Sequence, residues 1–192
     1  MGFFFEKDES VGHTQHHPNP PVNFILDQLN AKHANHTLQP GEFWTLIESP
    51  TDMGSCFLGE FIAASREKDI CLVFEYLIRF GTTNKLKFFE CMRCCLGIDG
   101  ITPLNELILR MPATPTEYSK IIQVFYDLLD LIKTLDQKQK LALLNQEEVY
   151  RPCPVTTAGR LNKLYIINAI YDTISPSQAP QLAANQLILA PQ

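Results

Sequence analysis

Between positions 22 and 174 the apolar residues recur at intervals of three and four, the spacing that lines one face of a helix. REKDICLVFEYLIRFG, residues 66–81, carries the clearest stripe: Ile70, Val73, Phe74, Leu77 and Ile78, with Gly81 expected to end the helix as a C-cap. Residues 114–135 repeat it with Ile121, Val124, Phe125, Leu128, Leu129 and Ile132. VNFILDQLNAKH, residues 22–33, places Phe24, Ile25 and Leu29 on a short helix opened by Asn23. PGEFWTLIESP, residues 40–50, offers Phe43, Leu46 and Ile47 between two prolines. Asn84 and Asp136 are expected to cap NKLKFFECMRCC and DQKQKLALLNQ, because their side chains can accept a first-turn N–H. RLNKLYIINAIYDTI, residues 160–174, reads as one more helix, bearing Leu161, Leu164, Tyr165, Asn168 and Ile174. No segment alternates with period two, so the fold class is all-α, with about eight helices.

The ends differ. Residues 1–21 include HTQHHPNPP, which has no apolar side chain to bury, and read as a flexible tail. Residues 175–192 are rich in Pro, Gln and Ala and form a second tail or a short helix docked through Leu182, Leu187, Ile188 and Leu189. The domain proper is 22–174.

Two stretches of that domain echo each other. MGSCFLGEFI, residues 53–62, aligns with DGITPLNELI, residues 99–108: Gly54 with Gly100, Leu58 with Leu104, Glu60 with Glu106, Ile62 with Ile108. DICLVFEYLIRF then aligns with KIIQVFYDLLDL, and a short helix precedes each copy. A weaker third copy runs from DQKQKLALLNQ into TTAGRLNKLYI, with EEVYRPCPV left unmatched. The unit is short helix, Gly turn, helix, helix, at roughly 46 to 52 residues, and such units bury their faces by stacking.

DGITPL resembles the turn and first-helix start of an ankyrin repeat, a Gly turn followed by Thr-Pro-Leu. The residue types suit that role. Gly100 can take the φ > 0 of a tight turn, Thr102 can cap, Pro103 sits where its missing N–H costs nothing, and Leu104 points into the stack. Asn105, Leu107 and Ile108 depart from the family's His and small residues and imply a bulkier unit. The resemblance implies a short α-solenoid of degenerate ankyrin-like repeats behind an N-terminal helical cap. It also implies a role in binding another protein, in the cytoplasm or, as for divergent arrays among bacterial effectors, in a host cytosol.

Composition narrows the partners. At 45 % hydrophobic residues the chain can build a core, and its net charge of −5 does not suit a nucleic-acid partner. Lys85, Lys87 and Arg93 are the nearest approach to a basic patch. No apolar run reaches the roughly 20 residues of a membrane span, and residues 1–10 lack a signal-peptide core. Gly2 does not open a myristoylation motif, because Glu6 occupies the position that needs Ser or Thr. Of the six cysteines, Cys71, Cys91, Cys94 and Cys95 fall in helical segments, as small hydrophobes of a reducing compartment.

Candidate chemistry is sparse. Cys91, Cys94 and Cys95 contain a Cys-x-x-Cys without the second pair a zinc site needs. His13, His16, His17, His33 and His36 lack carboxylate or thiol partners at ligand spacing. Cys153, in a Pro-Cys-Pro loop, is the cysteine that looks accessible. No phosphate loop or nucleophile elbow appears, so neither cofactor nor metal is expected. What remains is surface: the turn tips with Asp52, Met53, Asp99 and Gly100, and Glu60, Asn105 and Glu106 on the adjoining helices, acidic enough to suit a basic or mixed protein partner. The alternatives are an enzyme or enzyme-regulatory domain with a Cys/His site, and a homo-oligomeric structural module.

Overall fold

The computed structural model describes residues 21–51, 56–94, 101–115, 119–145 and 152–174. Among them lie ten helices and no strand: α1 (Val22–Ala34), α2 (Pro40–Glu48), α3 (Phe57–Ala64), α4 (Glu67–Thr83), α5 (Lys85–Cys94), α6 (Pro103–Arg110), α7 (Lys120–Lys133), α8 (Gln137–Leu144), α9 (Pro154–Arg160) and α10 (Leu164–Ile174). The all-α expectation holds. Both tails, apart from Pro21, lie outside the described residues.

Local signals start several helices as anticipated. Thr102 Oγ1 accepts the Asn105 N–H at 3.4 Å, with Pro103 at the first helical position of α6. Asp136 accepts the Gln139 N–H at 2.8 Å while Gln139 reaches back to the Asp136 N–H, a reciprocal pair that satisfies two otherwise orphaned donors of α8. Asn84 Oδ1 accepts from Lys87 N at 3.1 Å ahead of α5.

The apolar stripes of α4 and α7 are buried nearly throughout, and these two helices pack on each other. Helix α10 in turn packs on α7, and a second row runs α3 on α6 and α6 on α9. The short helices complete the pattern, with α2 on α3, α5 on α6, α8 on α9, and α5 on α8; α1 lies against α2 and α3. Lysine–glutamate pairs bridge neighbours in the same order: Lys32–Glu42 from α1 to α2, Lys87–Glu48 from α5 to α2, Lys120–Glu75 from α7 to α4, each at 2.7–2.9 Å. All three are partly exposed, so each contributes no more than about 1 kcal/mol and acts chiefly on register. Lys87 belongs to the expected basic patch and is neutralised there; its neighbour Lys85 donates to the Thr134 carbonyl at 3.3 Å.

Several sequence expectations need correction. Ten helices replace eight, partly because residues 160–174 are not one helix. A turn at Leu161 and Asn162 breaks the chain, with Asn162 in the left-handed region at φ 54°, where Asn is among the more tolerant residues. The core face of α10 is therefore Ile166, Ile170 and Ile174; Leu164 is 65 % exposed. Part of the segment read as unmatched opens a helix: α9 starts at Pro154 with Cys153 as its cap, as α6 starts at Pro103 with Thr102. Helix α1 begins at Val22 after Pro21, not at Asn23, and Phe24 faces solvent. Gly81 is not a C-cap: α4 continues to Thr83 and is capped at Asn84.

The core also holds a titratable probe. Cys71 on α4 is fully buried, and burial, reinforced by Glu67, pushes its thiol up to about 11 from 9.0. An alkylating reagent at pH 8 is expected to label the exposed Cys94 and spare Cys71 in the folded protein. The unfolded thiol loses its proton near pH 9 while the folded thiol keeps it to about 11. The folded state thus binds more protons in that window, and stability must fall as pH rises through it, by on the order of 2 kcal/mol. Urea midpoints compared at pH 8 and pH 11 should show a shallower alkaline loss for Cys71→Ala than for the native chain.

Candidate functional site

The first turn of α6 holds two of the residues that the sequence offered for binding, Asn105 and Glu106. Pro103, Leu104, Asn105, Glu106, Leu107 and Ile108 are all buried, because α6 is the middle member of its row and is covered by α3 on one side and α9 on the other. Asn105, Glu106 and Glu60 were expected on an exposed face, and the structure corrects that placement for each. Asn105 is 1 % exposed and donates through Nδ2 to the Pro152 carbonyl at 2.7 Å, tying the second unit to the entry of α9. Glu60 accepts from the hydroxyl of buried Thr51, within a turn also closed by the Phe57 N–H donating to the Ser49 carbonyl at 2.8 Å. Asp52, Met53, Asp99 and Gly100 lie outside the described residues.

Glu60→Ala removes the acceptor of a buried hydroxyl. The expected cost is about 1 to 3 kcal/mol, read from the denaturant midpoint, and Glu60→Gln should recover part of it by keeping an acceptor in place.

Beside Asn105 a small, partly open cleft has room for about 30 Å³, the scale of one or two waters. Helices α5, α6, α8 and α9 converge on it, with Arg93, Thr102, Asn105, Leu143, Pro152 and Cys153 among its walls. Cys153 is 3 % exposed and so is not the accessible loop thiol expected from the sequence. Its sulfur accepts the Thr156 N–H at 3.5 Å as the cap of α9 and lies 3.3 Å from the Thr156 hydroxyl. Of the other candidates, His33 Nδ1 shares a hydrogen bond of 2.7 Å with the Tyr76 hydroxyl, Cys91 is buried and Cys94 exposed, and Cys95 lies outside the described residues. Among the described residues no group of three His, Cys, Asp or Glu side chains is placed to hold a metal.

Lys163 went unnoticed in the sequence. It is 5 % exposed, follows the left-handed Asn162, and donates through Nζ to the carbonyls of Ile108 and Met111 at 2.6 Å and of Leu109 at 3.3 Å. The carbonyls at the end of α6, of which Ile108 O also accepts the Met111 N–H at 3.3 Å, are thus bonded from the turn between α9 and α10. Burial alone lowers the Lys163 pKa. Tyr165 adds a hydroxyl bond of 2.8 Å to the Pro112 carbonyl, and Arg110 reaches back to Ser65 O at 3.3 Å. Arg110 and Lys163 thus each touch the end of an earlier helix, α3 and α6 respectively. The only local hint was a positive charge between two apolar helices, a pattern that usually marks a solvated turn.

No family model, curated protein or solved structure matches the chain. Among the described residues no helix is long and apolar enough to cross a membrane.

Proposed function

We propose that the chain is a non-catalytic protein-binding scaffold: three ankyrin-like units stacked as a short α-solenoid behind the cap α1, acting in a reducing cytosol. The observation that supports this reading is the order of packing, α3 on α6 on α9 and α4 on α7 on α10, in which helices at equivalent places in the sequence repeat are neighbours in space. An array of this kind grows by adding units and presents its inter-helix turns along one edge. With Glu60, Asn105 and Glu106 buried, the binding role passes to the turn tips themselves, where Asp52 and Asp99 favour a basic or mixed partner.

The test compares lysate capture by the native chain with capture by Asp52→Lys/Asp99→Lys. A protein retained by the first and lost from the second supports the scaffold. Equal retention by both removes the tips from the interface, and thiol-dependent hydrolysis by the purified chain overturns the non-catalytic reading.

A further inference from the structure

The rows of packed helices end on α8 and α10, and two leucines stand exposed there. Gln137 Nε2 donates to the Ile174 carbonyl at 3.2 Å and ties the start of α8 to the end of α10. Leu141, one turn on from Gln137 on the same side of α8, is 38 % exposed, while Ala142 and Leu143 face the cleft shared with α5. On α10, Leu164, Ile167 and Asn168 share a side, and Ile167 Cδ1 lies 3.9 Å from where a Cβ on Gly159 of α9 would stand. Tyr165 turns the other way, to the Pro112 carbonyl and within electrostatic range of Tyr126 on α7. Leu164, 65 % exposed, thus points away from α7 and toward the open end of the rows. At the opposite end α1 covers α2 and α3. Among the described residues α10 is the last helix. A stack of helices needs an end element that covers the apolar side of its last member.

We propose that residues 182–189 of the same chain, LAANQLIL, cover this end and place Leu182, Leu187, Ile188 and Leu189 over Leu141 and Leu164. The segment carries no charge, and the chain enters it from the end of α10, beside the start of α8. Its reach suffices. Eight residues lead from Ile174 to Leu182 and span up to about 26 Å when extended. Leu164 stands ten residues back along α10, about 15 Å from Ile174. A second copy of the chain would have to hold on through two leucines, far short of the roughly 800 Å² per partner of a stable interface. A tethered segment meets the same face at an effective concentration of about millimolar, so a small contact is enough. The inference rests on the packing of α8 and α10 and stands whether or not the turn tips bind a protein.

The test is a double-mutant cycle on the full chain, read from urea midpoints. Leu187→Ser/Ile188→Ser is expected to lower the midpoint by about 0.5 M. Leu164→Ser should lower it comparably in the native background and clearly less once the segment is changed, because the two share one contact. Additive losses, or no loss from the segment variant, overturn the proposal. Backbone amide resonances give a second reading. Those of Leu141, Leu164 and Asn168 should shift in Leu187→Ser/Ile188→Ser, and unchanged resonances overturn the proposal even where a variant of the cycle fails to fold. Light scattering identifies the occupant. Coupling in a monomer, with a midpoint independent of protein concentration, supports the chain's own segment; coupling confined to a dimer makes a second copy the cover and overturns the assignment.

Discussion

Lys163→Met is expected to destabilise the fold by about 3 kcal/mol, measured as a shift in the urea midpoint at unchanged slope. Methionine keeps most of the aliphatic stem in place, so the loss falls on the ammonium and its carbonyl partners at Ile108, Leu109 and Met111. Those carbonyls sit at the end of α6 and lose their charged donor, leaving only Ile108 O with its backbone bond from Met111 N, and bonds from a charged donor are stronger than neutral ones. The bond from Arg110 to the Ser65 carbonyl at the end of α3 is exposed, and Arg110→Met should cost less than Lys163→Met, because water can replace the guanidinium there. Equal losses from the two variants would remove burial as the reason. A pH signature accompanies the large effect. Because burial depresses the folded-state pKa of Lys163, the unfolded chain holds that proton more tightly just below the ordinary lysine value of 10.5. Stability from this residue therefore rises with pH in that window, opposite in sign to Cys71, and the rise should vanish in Lys163→Met.

Gly81→Val should be nearly as damaging, at about 2 to 4 kcal/mol, because it overpacks a closed contact. A Cβ at Gly81 would stand 2.9 Å from Leu131 Cδ2, 3.0 Å from Phe88 Cδ2 and 3.1 Å from Phe88 Cβ. The leucine methyl can swing aside. The phenylalanine Cβ is fixed to the α5 backbone, so α5 must shift against α4. For Gly81→Ala the clash is opposed by a helix-propensity gain of up to about 1 kcal/mol, and the net loss should be small. Gly81→Asn separates this account from the capping one. At a left-handed C-cap Asn is tolerated, whereas within α4 it overpacks and strands an amide in the core, and the variant should lose as much stability as the valine.

These two residues mark the boundary of what the chain shows in one dimension. The stripes of α4 and α7 were legible because a period of three to four is a property of a single segment, and so were the caps at Thr102 and Asp136, whose partners lie three residues away. The likeness of residues 53–62 to 99–108 was legible because Leu and Glu recur at fixed offsets, and it did not extend by letter to α9, where Cys153, Pro154 and Val155 open a helix as Thr102, Pro103 and Leu104 do. The candidate site was read less well. Glu60, Asn105 and Glu106 were taken for surface residues because Asp, Asn and Glu usually are, yet α3 and α6 are covered on opposite sides and bury even their polar positions.

The sequence by itself determined that this protein is helical, where α5, α6 and α8 start, and which side of the two longest helices faces the core. Each of those rests on contacts within a few residues of the same segment. Only the tertiary structure decided that Gly81 is a point of close approach, that Lys163 closes α6, and that the first turn of α6 frames a cleft. Apart from Phe88 beside Gly81, the partners in those cases, Leu131 for Gly81, Ile108 for Lys163 and Pro152 for Asn105, lie some fifty residues away along the chain and become neighbours only when the helices pack on one another.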